Sequence, residues 1–331
     1  ENYEVVMLSS KKAVEIVSDK YYIHNPFFID EPFGVILVQK GTCQLQKVLT
    51  FIQHVGCNLS SRFAEDYLLE KGLIAKLQEE ETETCTNPQD RVLEALSLAY
   101  RQPKSNICLA PSGMNAIYSV IRGIKSIQER NGRDILVQFG WLYLDTMNIV
   151  EHHYTQSKTF LDINNLDVLE EYLKDEGLKV SAIITEVPTN PLLLCVDLKR
   201  LKALCLKYNI PLIIDSTLAT PFNVDLKPYA DILVESLTKY ACGNADVLMG
   251  ALILNENSKI SRISQEFFKH CDPIYKKDAA RLAYEIKDYE SRMKKINSNT
   301  KELISHLEKQ PYIKRVYHTL QKENHGNYQE L

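Results

Sequence analysis

Residues 211–239 read PLIIDSTLATPFNVDLKPYADILVESLTK. Two mainly apolar runs in this stretch, 211–214 and 230–234, have the composition of buried β-strands. Asp215 directly follows the first run, and Lys239 comes soon after the second. If these strands lie parallel in one sheet, both side chains emerge at strand carboxyl ends, where open α/β sheets bind ligands. The stretch therefore predicts an α/β fold with a ligand site at this edge of the sheet.

The segments on either side continue the alternation of strands and helices. Further strands are expected at 107–110, 135–139, 180–184 and 248–254. Ser112 and Asp197 are predicted N-caps of two intervening helices. A long helical region at 276–308 and a short strand at 313–317 follow. This order predicts the α/β class, with a mainly parallel sheet that carries helices on both faces.

Composition and charge favour small-molecule chemistry. The 331 residues are 45% hydrophobic and 25% charged, as in a globular protein with a large core. A formal net charge of −4 does not favour nucleic acid or an anionic membrane as partner. We expect neither a membrane-spanning segment nor a signal peptide. Eight cysteines without a C-x-x-C pair predict free thiols in a reducing compartment, so we expect a cytoplasmic protein.

The predicted site contains the groups that one particular cofactor needs. Pyridoxal phosphate (PLP) requires an amine for a Schiff base, a carboxylate that keeps its ring nitrogen protonated, and hydroxyls for its phosphate. Lys239, Asp215 and the pair Ser236 and Thr238 supply these groups in order. Taken singly, each residue has an ordinary structural explanation. Their joint spacing favours a PLP site.

Two more segments fit the same chemistry. The turn Ser112-Gly113-Met114 precedes a helix, so the amides of Gly113 and Met114 would point out from its positive end, which suits a phosphate. Asn190, in the turn that follows the strand ending near Glu186, would offer an amide to a ring oxygen.

The ordered set of these motifs resembles the Cys/Met-metabolism PLP-dependent enzymes, the family of cystathionine γ-synthases and γ-lyases. The resemblance covers about residues 55–331 and is closest to the fungal cystathionine γ-synthases. It implies a PLP-dependent aminotransferase fold of type I and PLP as cofactor. The fungal likeness is judged from five places in the chain: His54, 60–62, 223–225, 228–231 and 296–297.

The resemblance implies a role for each candidate residue. Lys239 would hold PLP and then carry protons between the substrate Cα, Cβ and the cofactor. Asp215 would pair with the ring nitrogen, Phe139 would stack on the ring, and Asn190 would bind the ring oxygen. The phosphate would be bound by Gly113, Met114, Ser236, Thr238 and, from a neighbouring subunit, Arg62.

The implied reaction is a γ-replacement that joins cysteine to an O-acylated homoserine and yields cystathionine. The implied assembly is a homodimer or homotetramer with shared active sites, without nucleic acid, membrane or metal. Two alternatives stay open: a cystathionine γ- or β-lyase of the same family, and a non-catalytic PLP-binding scaffold.

The chain also departs from the family pattern. Ser60 stands where the family commonly has a Tyr that contributes to phosphate binding, and residues 63–66 replace the usual Asn-Pro-Thr. The family's Arg that binds the substrate carboxylate has no counterpart before Leu331, so we expect a truncated carboxy-terminal domain and weak turnover.

The expected domain division has three parts. Residues 1–60 form an amino-terminal extension of unread function, 61–290 form the PLP-binding large domain, and 291–331 begin an incomplete carboxy-terminal domain. Within the large domain, residues 65–84 predict a helix followed by an acidic loop, Glu79–Glu83, that we expect to be solvated.

Other ligand classes lack their sequence signals. A dinucleotide fold needs a Gly-rich fingerprint, and Gly113 and Gly140 stand singly. A Walker phosphate loop is missing as well. The adjacent His152 and His153 have no third ligand at workable spacing, which favours a surface position over a metal site.

Overall fold

The computed structural model describes residues 2–24, 33–324 and 326–331. Their centre is a seven-stranded sheet with the order β3-β9-β8-β7-β6-β4-β5. Its strands are β3 (Ile107–Ala110), β4 (Ile135–Phe139), β5 (Gln156–Phe160), β6 (Val180–Glu186), β7 (Leu212–Asp215), β8 (Ile232–Ser236) and β9 (Gly250–Leu254). Strand β9 runs antiparallel to both of its neighbours, and the other pairs are parallel. The predicted mainly parallel sheet is confirmed.

Helices cover both faces of this sheet. One face carries α4 (Pro88–Tyr100), α7 (Leu166–Glu176), α8 (Leu198–Tyr208), α11 (Lys276–Glu285) and α12 (Tyr289–Leu307). The other face carries α5 (Gly113–Gln128), α6 (Leu144–His153) and α10 (Gln265–Phe268). Two further helices, α3 (Ser61–Glu70) and α9 (Thr220–Asn223), lie in connecting segments. Alternate strand residues divide between the two cores: Val137 faces the first and Leu136 the second.

The amino-terminal residues form a small unit that packs on the second face. It contains β1 (Tyr3–Leu8), α1 (Lys11–Tyr21), β2 (Gly34–Gln39) and α2 (Cys43–Val55), and the two strands pair antiparallel. Phe51 of α2 shares a core with Ile121 of α5, and both are nearly inaccessible to solvent. The unit is therefore continuous with the core beside α5, and the division of the chain at residues 60 and 290 stays a prediction.

The start of α5 is held in a tight turn between two strands. Ser112 is the N-cap: its hydroxyl accepts from the Asn115 amide at 2.9 Å and donates to the Gly56 carbonyl at 2.9 Å. A Cβ added at Gly250 would lie 2.3 Å from the Ser112 carbonyl oxygen. Because only glycine permits this approach, β9 can lie directly against the turn, which fixes the helix end at the strand edge.

Two sequence predictions outside the sheet have different outcomes. Residues 313–317 form no strand, and Ile313 and Val316 are half-buried at a spacing of three, without the alternation of a strand. The acidic run follows α3 as an irregular and largely exposed segment, as predicted, and some of its side chains are also paired. The Tyr284 hydroxyl donates to the Glu81 carboxylate at 2.8 Å, and Lys287 forms an ion pair with Glu83.

Among the residues that the structure describes, none of the helices is both long and apolar enough to cross a membrane.

Candidate active site

A cavity of about 480 Å³ opens at the carboxyl ends of β6, β7 and β8, beside the first turn of α5. Seven of the nine residues predicted from sequence line it: Gly113, Met114, Asn190, Asp215, Ser236, Thr238 and Lys239. Its volume is within the range of small-molecule sites. The structure thus brings together groups that lie more than a hundred residues apart in the chain.

Lys239 lies in the turn that follows β8. Its backbone amide donates to the Ser236 carbonyl at 3.2 Å, which closes the turn. The Thr238 hydroxyl donates to the Met249 carbonyl at 3.2 Å and accepts from the Met249 amide at 3.1 Å. These bonds hold the turn to the segment that enters β9, so the lysine begins from a fixed backbone at the cavity wall.

Asp215 is the last residue of β7. Its Oδ1 accepts from the Thr217 amide at 2.9 Å, and the Thr217 hydroxyl accepts from the Ser236 amide at 2.9 Å. Burial raises the pKa of Asp215, and the bonds from Thr217 oppose this rise. A cationic N–H group placed against Asp215 would favour its charged form, so the site suits a protonated ring nitrogen.

The first turn of α5 forms a cradle together with Ser236. A Cβ added at Gly113 would lie 2.7 Å from the Ser236 Cβ, so glycine alone fits at this position. The close approach places the helix amino terminus, where amide donors and the positive end of the helix dipole lie, next to a hydroxyl. An amine, a carboxylate and an anion cradle in one cavity are the donor set that PLP requires, and the residues present fit this cofactor.

Phe139, which was predicted to stack on the cofactor ring, does not line the cavity. It is fully buried on the opposite face of the sheet, where its ring centroid lies 6.4 Å from that of Phe160. The reason is strand alternation: Phe139 lies two residues after Val137 on β4, so both side chains point to the sheet face away from α5. Tyr143 lines the cavity instead. Tyr143 stands in the same short segment as Phe139 and is a tyrosine, as is usual at the ring-stacking position, and this signal could have identified it.

Arg62 is the second predicted residue that does not line the cavity. Its Nε and Nη2 donate to the two carboxylate oxygens of Glu80, each at 2.7 Å, and its Nη1 donates to Asp278 at 3.1 Å. The hydrogen bond to Glu80 raises the pKa of Arg62. Arg62 lines a neighbouring cavity of about 340 Å³ that shares Thr238 with the first. Its contribution to a second subunit stays a prediction.

Glu186 is a cavity residue to which the sequence assigned no role. It is the last residue of β6 and stands in register with Asp215 of β7. Its Oε2 accepts from the Tyr143 amide at 2.9 Å. A carboxylate at a strand carboxyl end was the signal that identified Asp215, and the same signal applied to Glu186.

Residues 55–330 match the family model described as Cys/Met metabolism PLP-dependent enzyme. The chain is 34% identical over 334 residues to an L-2-amino-4-chloropent-4-enoate dechlorinase/desaturase from Streptantibioticus cattleyicolor, covering 99% of the chain and 66% of that protein. It is 32% identical over 235 residues to cystathionine gamma-synthase from Neurospora crassa, covering 69% of the chain and 38% of that protein. The chain therefore spans less than two thirds of the length of either relative.

Solved structures show the same fold. The cystathionine gamma-lyase from Lactobacillus plantarum superposes with a TM-score of 0.63 at 19% identity, covering 78% of this chain and 68% of that one. A cystathionine gamma synthase from Xanthomonas oryzae superposes equally well, with a TM-score of 0.63 at 20% identity over 73% of this chain and 62% of that one. The type I fold expected from the motifs is confirmed.

Proposed function

The chain belongs to the Cys/Met metabolism PLP-dependent enzymes, and on that premise we propose that it catalyses a γ-replacement between an O-acylated homoserine and cysteine. The Cγ–O bond of the ester breaks and a Cγ–S bond forms, so that cystathionine and a carboxylic acid are released. The observation that carries this proposal is the meeting of Lys239, Asp215 and the α5 cradle in one cavity. The fungal cystathionine γ-synthases among its relatives support the choice of substrates.

Each residue of the cavity has a distinct task in the proposed site. Bound PLP supplies an electron sink for the charge that develops at the substrate Cα. Lys239 would hold the cofactor and, once substrate has displaced its amine, move protons at Cα and Cβ. Asp215 would hold the ring nitrogen protonated. The phosphate would lie against the amides of Gly113 and Met114 and the hydroxyls of Ser236 and Thr238. Asn190 would bind the ring oxygen.

We assign the ring-facing aromatic position to Tyr143. Its side chain lines the cavity and its backbone is held by Glu186. Phe139 lies on the other face of the sheet and cannot reach the cavity without inverting β4.

A second candidate is elimination, in which the γ-substituent leaves and no thiol adds. The relative that aligns over 99% of the chain is named as a dechlorinase/desaturase, and this favours a reaction that ends with loss of a substituent. Both reactions require proton removal at Cα and departure of a group from the side chain, so the same lysine serves either one.

The purified protein should be incubated with PLP and O-acetyl- or O-succinyl-homoserine, with and without cysteine, and the products identified by mass spectrometry. Cystathionine that appears only with cysteine supports replacement. A keto acid formed without cysteine identifies a lyase, and PLP binding without turnover of either ester favours the scaffold alternative. The Lys239→Arg variant is the control, because it keeps the charge but should lose both cofactor attachment and turnover.

A further inference from the structure

Glu186 and Asp215 form a pair of carboxyl groups on one wall of the cavity. They are the last residues of neighbouring parallel strands and are directly paired in register. Residues paired in this way point to the same face of a sheet. Both line the cavity, on the side of the sheet that carries α5. Only Asp215 was expected there, and one acid is sufficient to bind one ring nitrogen.

The second acid has a different set of contacts from the first. Asp215 accepts from the Thr217 amide, two residues further along its own chain segment. Glu186 reaches across to another segment and accepts from the Tyr143 amide at 2.9 Å. The backbone of Asn190 also acts on the Glu186 carboxyl group as a hydrogen-bond donor that lowers its pKa. The Glu186 side chain therefore joins the segments that follow β4 and β6, and both segments contribute a residue to the cavity.

Charge decides which form of the Glu186 carboxyl group is stable. Its side chain is buried, with 5% of the residue exposed. The pKa of Glu186 is raised to about 9, mainly by burial and also by the negative charge of Asp215. Two buried acids side by side cannot both ionise at neutral pH without a cation between them. Hydrogen bonds lower the pKa of both acids, but the negative charge of Asp215 raises that of Glu186, so Asp215 is the member that ionises first.

We propose that Glu186 is a positioning residue that fixes Tyr143 and Asn190 at the wall of the cofactor cavity. This inference rests on the proposed PLP site. In its neutral form Glu186 keeps its acceptor oxygens for the two segments and adds no second negative charge beside the ring nitrogen. Asp215 is then the one carboxylate of the pair that faces a ring cation.

The other ionisable groups at this wall of the cavity come from the segments that follow β4 and β8. Lys239 and Tyr240 follow β8 and line the same cavity, and Tyr143 follows β4. Burial raises the pKa of the Tyr143 phenol, and the Asp145 carboxylate at the start of α6, which accepts a hydrogen bond from that phenol, adds to the rise. Among the described residues that line the cavity, Lys239 is the one cation and lies in an exposed turn, and the segment of Tyr143 brings a further acid rather than a base.

Two variants separate the neutral and the ionised form of this residue. Glu186→Gln keeps an acceptor oxygen and is uncharged at every pH, whereas Glu186→Ala removes the acceptor. We expect Glu186→Gln to bind PLP within about twofold of the parent at pH 7, and Glu186→Ala to bind it about five- to tenfold more weakly, as expected for a lost buried hydrogen bond. Glu302→Gln, on the exposed side of α12, is the matched control. Equal weakening in Gln and Ala variants would show that an ionised Glu186 is required and would overturn the proposal.

The cofactor-free protein provides an independent measurement. Trp141 is the only tryptophan of the chain and lies two residues before Tyr143. We expect quenching of its emission by acrylamide to increase in Glu186→Ala and to stay at the parent value in Glu186→Gln. Unchanged quenching in both variants would overturn the positioning role.

The pH dependence of unfolding tests the protonated form. An acid whose folded pKa is raised loses stability as pH rises from its unfolded value through its folded one, so the parent should lose stability relative to Glu186→Gln between about pH 5 and pH 9. Parallel pH profiles for the two proteins would contradict a protonated Glu186. These two readouts need no cofactor, so failure of PLP to bind would count against the proposed function and leave the inference on Glu186 to be judged separately.

Discussion

Gly113 and Ser236 lie so close together that an added Cβ at Gly113 would be 2.7 Å from the Ser236 Cβ and 3.1 Å from its Cα. The first residue of α5 is thereby pressed against the last residue of β8. Helix amides and a strand-end hydroxyl meet at one point because no side chain separates them. This contact makes the cradle that we assign to the cofactor phosphate.

Gly113→Ala should therefore weaken PLP binding strongly. The backbone at Gly113 or Ser236 must move to admit the methyl group, at a cost of about 1–3 kcal/mol in stability. The displaced amides of α5 then no longer point at the phosphate. Titration of the variant with PLP, followed by absorbance, measures the effect. Gly132→Ala is the control: its φ of +72° also disfavours alanine, but it lies after α5, at the opposite end from the cradle. Equal PLP affinity of the Gly113 variant and the parent would remove the cradle from the phosphate site.

Lys239 should be the lysine that PLP modifies. Borohydride reduction of the loaded protein and peptide mapping should place the cofactor on the peptide that contains this residue, because Lys239 is the lysine that lines the same cavity as Asp215. The Lys199→Arg variant, changed on the exposed side of α8, should be labelled at the same peptide as the parent. A label on another lysine would exclude the assignment.

Asp215→Asn should retain cofactor and lose turnover. An amide can still contact the ring nitrogen but cannot hold it protonated, so we expect kcat to fall about 10²- to 10³-fold while PLP occupancy changes little. Steady-state kinetics at saturating PLP give the first value, and absorbance the second. Near-parent turnover would remove Asp215 from its role.

Shared sites can be tested by mixing two inactive variants. If Lys239 of one subunit acts with Arg62 of the next, Arg62→Ala and Lys239→Arg should each be inactive alone, and their mixed dimers should contain one intact site. After unfolding and refolding together, about one quarter of the sites should be active. Glu80→Gln, which relieves Arg62 of one carboxylate partner, should not weaken PLP binding. Failure of the mixture to regain activity would mean that Arg62 serves its own chain.

Glu235 should make the stability of the protein depend on pH. It is 1% exposed and accepts hydrogen bonds from the Tyr100 and Tyr289 hydroxyls, the latter at 2.5 Å. Burial raises its pKa to about 7. The folded state then binds the proton more tightly than the unfolded state, so stability is lost as pH rises from about 4.5 through about 7.

The loss amounts to roughly 3 kcal/mol once pH is well above 7. Urea unfolding of the parent and of Glu235→Gln at pH 5 and pH 8 measures it, and the difference between the two pH values should be smaller in the variant. Glu171→Gln, on the exposed surface of α7, should keep the parent profile. Identical profiles for all three proteins would show that Glu235 is charged throughout this range.

The elements and the main site residues could be predicted from the sequence because their signals are local. Apolar runs identified β7 and β8, and a residue with a short side-chain oxygen, Ser112, marked the start of α5. Asp215 and Lys239 were identified because each follows a strand, and parallel strands bring their carboxyl ends to one edge. The order of these motifs also sufficed to identify the family.

Tertiary structure alone decided which neighbours those residues have. Phe139 and Tyr143 stand four residues apart, and only the parity of β4 within the sheet turns the first away from the cavity. Glu186 becomes the partner of Asp215 only through the register of β6 with β7, and Glu80 reaches Arg62 only through the path of the loop after α3. Register and packing depend on contacts between distant segments. The free energies of those contacts cannot be predicted from the residue pattern of either segment alone.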